Sequence, residues 1–319
     1  MQIDYNQAAE IIRSSDNIHI LTHQSPDGDT LGSGFAMYFA LRSINKNVEI
    51  ICPDGLPARF EFLAKEYNTS EAFEPECVIA VDIADTGLMG DVEEKYINRV
   101  NLCIDHHISN TMYADKTLVN PSASATCEVI YNLFRKMNID IDGNIARCLY
   151  TGIATDTGCF KYSNTTPDAH IIAAQLIQHD IDFAHINREM FDIKSKARLS
   201  LEQHIFDHME TYFDERCAVL CVTEDLCSKL GIEMDELDGV AGLPLQIQGI
   251  EVAVTMKEKN TDEYKISMRS AGRINVSAIC KKLGGGGHVN AAGCLVKGKL
   301  VNARKIVVDM IGKALEEYF

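Results

Sequence analysis

The sequence predicts a two-domain chain, with an N-terminal α/β domain built on a largely parallel sheet flanked by helices and a smaller α+β C-terminal domain. Its 319 residues are about twice the usual length of one domain, and 46% of them are hydrophobic, which suffices for two cores. In the first half, short apolar runs alternate with amphipathic stretches, which is the pattern of βαβ units. In the last third, strands and helices mix without that alternation.

The predicted elements follow from where the apolar runs begin and end. In the first half the predicted strands cover 18–23, 48–52, 77–82 and 101–107. The helical patterns between and after them cover 31–44, 127–137, 145–155 and 168–179. In the last third we expect a strand over 217–222 and helices over 276–283 and 302–317. The charge-rich stretch 188–213 has helical spacing, so we place domains at 1–187 and 214–319, with a helical linker over 188–213.

Composition excludes several classes of protein. The chain has no 18-residue apolar run, so no membrane span is expected. Its N-terminus lacks a basic segment followed by an apolar stretch, and its 11 cysteines include no CxxC pair, so we expect reduced thiols and a cytoplasmic protein. A net charge of −16 without a basic stripe disfavours long duplex nucleic acid as a partner.

Carboxylates and imidazoles recur at points where apolar runs end. The set consists of His23, Asp27, Asp29, Asp82, Asp105, His106, His107 and Asp156. The carboxyl ends of parallel strands face one crevice, so most of these side chains are expected to converge there. Converging aspartates oppose one another's ionisation unless cations compensate them, and oxygen donors mixed with imidazole suit manganese. Any one member alone has an ordinary structural alternative, such as Asp29 capping the helix that follows it.

Five segments give the sequence a specific resemblance to a known family. HQSPDGD, VDIAD, DHH and ATDTGCF resemble the four motifs of the DHH phosphoesterases. RSAGRINVSAICKKLGGGGHVNAAG resembles their DHH-associated domain, so the likeness covers nearly the whole chain. The branch it resembles contains nanoRNases and pAp phosphatases, and the resemblance implies an enzyme that uses two divalent cations, most often Mn²⁺, to activate water for attack on phosphorus.

The resemblance also implies a role for each matching residue. His23 and Asp27 would hold one cation, whereas Asp29, His106 and Asp156 would hold the other, and Asp82 would bridge the two. Asp105 would orient a histidine from behind. His107 would contact the scissile phosphate and protonate the leaving oxygen.

Small residues near these motifs have simpler expected roles. We expect Gly28 and Gly32 to let the chain approach the metals closely, because they lack a Cβ. Ser124 and Thr126 stand at the start of the helix predicted over 127–137, where capping is their ordinary role.

The C-terminal domain is expected to bind the substrate. Backbone N–H groups of Gly286 and Gly287 would surround an anion, with His288 as a further donor. Arg269 would pair with a phosphate in bidentate fashion. Two other pairs are expected to have no special role, Lys281 and Lys282 because exposed lysines are common, and His204 and His208 because no third metal ligand accompanies them.

These observations favour an enzyme that releases mononucleotides from short RNA or DNA oligonucleotides and also acts on 3′-phosphoadenosine 5′-phosphate. The compact length supports this, as do the absence of tryptophan and the lack of a visible aromatic platform for long strands. A phosphodiesterase of cyclic or linear dinucleotides stays open as the alternative. The GGGGH run disfavours an inorganic pyrophosphatase, and the intact ligand set disfavours a non-catalytic sensor. The sequence leaves the oligomeric state open, a homodimer included.

Overall fold

The computed structural model of the chain describes residues 1–69, 71–232, 237 and 239–318. The chain divides into two compact units, Met1–Ile193 and Lys194–Phe319. The boundary between the units falls inside the stretch 188–213, and the last residue of the predicted C-terminal domain, 319, lies outside the described residues. No helix in the described part of the chain is long and apolar enough to cross a membrane.

The N-terminal unit contains a sheet of five parallel strands in the order β2-β1-β3-β4-β5. The strands are β1 (Asn17–Leu21), β2 (Asn47–Ile51), β3 (Cys77–Val81), β4 (Leu102–Asp105) and β5 (Lys116–Val119). The four predicted strands are present, with ends shifted by one or two residues. The fifth, β5, was not predicted because it has four residues and only its two central ones are buried.

Seven α helices accompany this sheet among the described residues. They are α1 (Tyr5–Arg13), α2 (Gly28–Ser43), α3 (Glu93–Tyr96), α4 (Thr126–Met137), α5 (Gly143–Asp156), α6 (Pro167–Leu176) and α7 (Phe183–Asn187). Helix α2 is buried continuously from Gly28 to Leu41, so it lies inside the unit rather than on its surface. A central helix of this kind needs a mostly apolar sequence on all sides, and GDTLGSGFAMYFAL supplies one.

The glycines of α2 bring it close to α5. A Cβ built on Gly28 would lie 2.3 Å from Thr155 Oγ1, and one on Gly32 would lie 2.5 Å from the Cys148 carbonyl oxygen. The space that these glycines leave is filled by α5, so close helix packing accounts for both of them, and their expected approach to the metals stays a prediction. The close packing holds the first turn of α2 against the last turn of α5, and both turns carry candidate ligands.

The C-terminal unit contains a mixed six-stranded sheet in the order β10-β11-β9-β8-β7-β6. Its strands are β6 (Glu210–Tyr212), β7 (Cys217–Val222), β8 (Val252–Asn260), β9 (Glu263–Ser270), β10 (Gly286–His288) and β11 (Ala291–Lys297). Strands β7 and β8 are parallel, and every other neighbouring pair is antiparallel. The α helices described here are α8 (Lys196–His208), α9 (Glu224–Leu230), α10 (Val276–Lys282) and α11 (Leu300–Glu316).

The stretch predicted as one connecting helix is divided into three elements. Arg188–Asp192 forms a π-helical turn, α8 follows it, and β6 then pairs with the edge of β7. A new helix, α8, begins after Ser195 because the Ser195 hydroxyl caps it by accepting a hydrogen bond from the Arg198 N–H at 2.8 Å. It stops before Thr211 and Tyr212, residue types that favour a strand when an edge is available.

Candidate metal centre and active site

The candidate site of the N-terminal unit lies at the carboxyl ends of its strands, where the strand order reverses between β1 and β3. A parallel sheet opens a crevice at such a point. His23 follows β1, Asp82 follows β3 and Asp105 ends β4. Asp156 is the last residue of α5, and its Oδ2 lies 3.6 Å from His106 Nε2. The topology therefore gathers side chains that are far apart in the sequence.

Ligand atoms of these residues form three groups within the described part of the chain, and the atoms of each group lie within 4.8 Å of one another. The groups are His23 with Asp27 and Asp82, Asp29 with His106 and Asp156, and Asp82 with His106 and His107. The first two groups match the two ligand sets that the sequence predicted, and Asp82 belongs to the first and the third.

Asp82 occupies the centre of the site. Its Oδ2 lies 3.7 Å from His23 Nε2, and its Oδ1 lies 3.9 Å from His106 Nε2. The two oxygens of one carboxylate thus face the two ligand groups, as a bridging ligand requires. The residue is 3% exposed, and its backbone has a φ of +61°, in the left-handed region.

Backbone carbonyls orient the two histidines that face Asp82. His23 Nδ1 lies 2.8 Å from the carbonyl oxygen of Gln24, and His106 Nδ1 lies 3.2 Å from that of Ala123. Each carbonyl accepts a hydrogen bond from Nδ1–H, so the Nε2 of each ring presents a lone pair to the centre of the site. This is the tautomer that a metal-ligating histidine needs.

Asp27 and Asp29 each accept hydrogen bonds at the start of a helix. Asp27 Oδ1 caps α2 by accepting from the N–H groups of Asp29 and Thr30, at 3.0 and 3.1 Å. The carboxylate of Asp29 accepts instead from the N–H groups of Thr126 and Cys127, at 2.6 and 2.9 Å. Asp29 therefore caps α4, which is distant in sequence, rather than the helix that contains it.

The hydroxyl groups near the start of α4 have other partners. Thr126 Oγ1 donates to Asp82 Oδ1 at 2.7 Å, and Ser124 Oγ donates to the Asn164 carbonyl oxygen at 2.8 Å. The expected capping by these two side chains is wrong, because the Asp29 carboxylate occupies the N–H groups at this helix end. Thr126 instead fixes the orientation of the central carboxylate.

Asp105 points towards the backbone behind the histidines. Its Oδ1 accepts from His107 Nδ1 at 2.8 Å and from the His106 N–H at 2.7 Å. Its Oδ2 accepts from Asn110 Nδ2 at 2.6 Å. Although burial alone would raise the pKa of Asp105, these hydrogen bonds lower it, and the Asp105 carboxylate raises the pKa of His107. The geometry suits an orienting Asp105 and a partly exposed His107.

The remaining carboxylates repel one another. Burial raises the pKa of Asp82 well above its ordinary value, and the charges of Asp29 and Asp27 raise it further. Burial and the Asp29 charge raise the pKa of Asp156 to about 8. Burial also raises the pKa of Asp29. Divalent cations would compensate these charges, and carboxylate oxygens mixed with imidazole nitrogens suit Mn²⁺, so the residues present fit a two-cation site.

The residues predicted to bind substrate lie together at one edge of the C-terminal sheet. Arg269 in β9 stands opposite Ala291 in β11, which stands opposite His288 in β10. Directly opposed residues project from the same face of a sheet, so Arg269 and His288 flank one small side chain. Arg269 is partly exposed and His288 is exposed.

The glycine run ends in an edge strand of the C-terminal sheet. Gly286 and Gly287 belong to β10, and a Cβ on Gly287 would lie 2.5 Å from the Ala291 carbonyl oxygen. Gly287 has a φ of +140°, and its carbonyl accepts from Ser277 Oγ at 2.7 Å. The glycines therefore allow the edge strand to approach β11 closely.

The two pairs for which no special role was expected lie in α8 and at the end of α10. Lys281 and Lys282 are exposed at the end of α10. His208 Nδ1 contacts the His204 carbonyl oxygen at 2.9 Å, and the two rings stack at 4.0 Å. Neither histidine belongs to a cluster of three ligands within the described ranges.

Three supporting residues escaped sequence reasoning. They are Thr126 and Asn110, described above, and Asn164, whose Nδ2 donates to the Asp156 carbonyl oxygen at 3.1 Å. Asn110 and Asn164 lie outside the quoted motifs, and Thr126 was expected to cap a helix. Their only sequence signal is a short polar side chain close to a motif, which is too common to be diagnostic.

Comparison with known proteins gives the family. Residues 17–153 match the DHH family N-terminal domain, and residues 214–317 match the DHHA1 domain. The chain is 32% identical to the bifunctional oligoribonuclease and PAP phosphatase NrnA of Thermus thermophilus, over 91% of this chain and 87% of that protein. It is 24% identical to the cyclic-di-AMP phosphodiesterase GdpP of Bacillus subtilis, over 97% of this chain and 49% of GdpP.

A solved structure supports the same assignment. The exopolyphosphatase-related protein of Bacteroides fragilis superposes with a TM-score of 0.88 at 26% identity, over 97% of this chain and 95% of that one. The motifs from which the site is built agree with the two domain matches. They also agree with the identity to NrnA over most of both chains and with this superposition. The chain belongs to the DHH family, in the branch that combines a DHH domain with a DHHA1 domain and includes the NrnA proteins.

Proposed function

We propose that this chain is a manganese-dependent phosphoesterase that releases mononucleotides from oligonucleotides of a few residues and also hydrolyses 3′-phosphoadenosine 5′-phosphate. The observation that carries the proposal is the pair of ligand groups on either side of Asp82. Two cations held there, most suitably Mn²⁺, would polarise a phosphate oxygen and lower the pKa of a water molecule.

The contacts support the proposed ligand roles. His23 and Asp27 would hold one cation, and Asp29, His106 and Asp156 would hold the other, with Asp82 shared between them. Gln24 and Ala123 keep the imidazoles in the correct tautomer, since their carbonyl oxygens bond Nδ1.

His107 is the proposed proton donor. Its Nδ1 is bonded to the buried carboxylate of Asp105, so its Nε2 is left for the substrate. The side chain is 37% exposed, which lets a phosphate ester reach it. The Asp105 carboxylate raises the pKa of His107 and so favours the doubly protonated ring, whose Nε2 would transfer its proton to the leaving oxygen.

The C-terminal unit supplies the proposed substrate residues. Arg269 offers a planar pair of donors to a phosphate, and His288 adds another donor on the same face of the sheet. The edge strand at Gly286 and Gly287 would contribute backbone N–H groups. Short substrates suit such a site, because a chain with a net charge of −16 repels long polyanions.

The alternative is a phosphodiesterase of cyclic or linear dinucleotides. The similarity to GdpP supports it, but this chain spans about half of GdpP, whereas it spans most of NrnA. The nuclease and pAp phosphatase function is therefore preferred.

The test is a substrate comparison with purified protein in MnCl₂. A ladder of RNAs of two to twenty nucleotides, pAp and cyclic di-AMP are supplied in parallel, and products are separated by chromatography. We expect turnover of pAp and of the shortest RNAs, falling with length. Faster turnover of cyclic di-AMP than of every linear substrate would favour the alternative, and no phosphate ester cleavage at all would refute both.

A further inference from the structure

A tight turn follows the candidate ligand Asp156. Gly158, Cys159 and Phe160 have φ values of +57°, +57° and +61°, so three successive residues are left-handed. The N–H group of Tyr162 returns to the Thr157 carbonyl oxygen at 3.0 Å. Together with the Asn164 side chain bonded to Asp156, these contacts fix the whole turn against the metal centre.

Two aromatic side chains of this turn have opposite environments. Phe160 stacks on His170, with ring centroids 5.0 Å apart and planes 24° apart, and it packs against the core of the N-terminal unit. Tyr162 is 62% exposed, more than any other aromatic side chain that the structure describes. The core therefore explains Phe160 but not Tyr162.

The Tyr162 ring rests on a glycine. A Cβ built on Gly158 would lie 2.4 to 2.6 Å from three atoms of the ring, so the ring occupies the space that a side chain would fill. One part of the ring is thereby supported by backbone while most of it stays open to solvent. A supported tyrosine has little conformational freedom to lose when another ring stacks on it.

The position of this ring is what distinguishes it from an incidental surface aromatic. Gly158 is two residues from Asp156, so their Cα atoms are at most about 7 Å apart. The ring, which rests on Gly158, therefore lies close to Asp156, one of the residues proposed to hold the cations.

We propose that Tyr162 is a stacking surface for the nucleobase of the nucleotide bound at the metal centre. The inference rests on the proposed function and extends it, since it adds a subsite for the base to one that handles the phosphate. Stacking tolerates any base, because every base has a π face. The site should therefore distinguish nucleotides from base-free phosphate esters while discriminating weakly among the four bases.

A kinetic comparison tests the proposal. The paired substrates are pAp and ribose 3,5-bisphosphate, which carry the same phosphates with and without adenine. In Tyr162→Ala the ratio of kcat/KM for pAp to that for the base-free ester should fall about 5- to 150-fold, since one stacked base contributes about 1 to 3 kcal/mol. Tyr162→Phe should keep the wild-type ratio, because it keeps the ring.

The outcomes separate the two proposals. An unchanged ratio in Tyr162→Ala overturns the stacking role while leaving the phosphoesterase function intact. Absence of turnover by the wild-type protein on pAp and on short RNA refutes the proposed function itself, and the binding measurement below then decides the stacking role alone.

The binding measurement uses the absence of tryptophan from the chain. Tyr162→Trp introduces a single fluorescent reporter, and Tyr318→Trp is the matched control at another exposed tyrosine, 59% exposed beyond the end of α11. Adenosine 5′-monophosphate in MgCl₂ should quench the first variant and leave the second unchanged, and ribose 5-phosphate should quench neither. Equal responses of the two variants to the nucleotide would overturn the proposal.

Discussion

Buried carboxylates are held in different ways in the two units. In the N-terminal unit, Asp82 and Asp29 lie among other acids, and their pKa values are raised. In the C-terminal unit, Glu202 is 9% exposed but accepts from Lys194 Nζ at 2.8 Å and from Arg198 Nε at 2.9 Å. Although burial alone would raise the pKa of Glu202, these two cations lower it.

The difference shows which acids need a partner from outside the chain. The charge of Glu202 is neutralised by Lys194 and Arg198, so this carboxylate needs no bound ion. The three ligand groups around Asp82 have carboxylates and imidazoles but, among the residues that the structure describes, no ion pair with a lysine or arginine. Uncompensated buried charge of this kind is typical of functional sites rather than of structural ion pairs.

The largest expected effect comes from removing the central carboxylate. Asp82→Ala should lower kcat/KM at least about a thousand-fold, because a ligand facing both groups supports several kcal/mol of transition-state stabilisation. Steady-state hydrolysis of pAp in MnCl₂ measures this. Asp91→Ala, at an exposed aspartate of the same unit, is the control. Near-normal turnover by Asp82→Ala would exclude the bridging role.

The second effect is the stabilisation of the folded protein by bound Mn²⁺. Mn²⁺ at about 100 times its Kd should stabilise the folded protein by about 2.7 kcal/mol for each ion bound, since the ions bind only where the carboxylates are gathered. Thermal unfolding with and without EDTA measures it, and Asp82→Asn should abolish most of the gain. If Mn²⁺ stabilised Asp82→Asn as much as the wild type, the ions would be binding elsewhere.

The third effect concerns the hydroxyl that fixes the central carboxylate. Thr126→Val keeps the shape but removes the donor to Asp82, and it should lower Mn²⁺ affinity or kcat about 10- to 100-fold, as loss of a group that orients a ligand does. Thr126→Ser should restore most of the loss. Isothermal titration with Mn²⁺ separates affinity from turnover. Equal behaviour of the valine and serine variants would leave the hydroxyl without a role.

The smallest effect should come from the ion pairs of Glu202 with Lys194 and Arg198. Glu202→Gln should destabilise the protein by about 1 to 2 kcal/mol at pH 7, through loss of charged hydrogen bonds. Because the folded pKa of Glu202 is lowered, the stability it contributes is present above its unfolded value of about 4.3 and is lost as the pH falls through the folded pKa. Chemical unfolding at pH 7 and pH 3 should show the difference shrinking at low pH. A difference that grew on acidification would contradict this.

The sequence was sufficient to predict the site residues whose position depends on the topology of the sheet. The strands before His23 and Asp82 and the strand ending at Asp105 are short buried runs, and parallel connection forces their carboxyl ends together. The order of the motifs was therefore sufficient to anticipate the N-terminal cluster, without knowledge of any distance.

The sequence was not sufficient where one feature, such as a glycine run, has several physical uses. Glycines serve loops, anion sites and close packing alike, so nothing in GGGGH distinguished a loop from the strand that contains Gly286. The capping of α4 by Asp29 spans 97 residues of sequence, and local spacing cannot reveal a partner so distant. The Thr126 contact with Asp82 was missed for the same reason.

The left-handed backbone at Asp82 narrows the choices open to a protein engineer. Asparagine and aspartate tolerate this conformation better than other non-glycine residues, whereas longer or branched side chains are strained in it. Exchanging one acid for the other by Asp82→Glu would thus combine backbone strain with a displaced carboxylate. Attempts to retune metal preference are better directed at Asp27 or Asp156, whose backbones lie in extended and helical conformations.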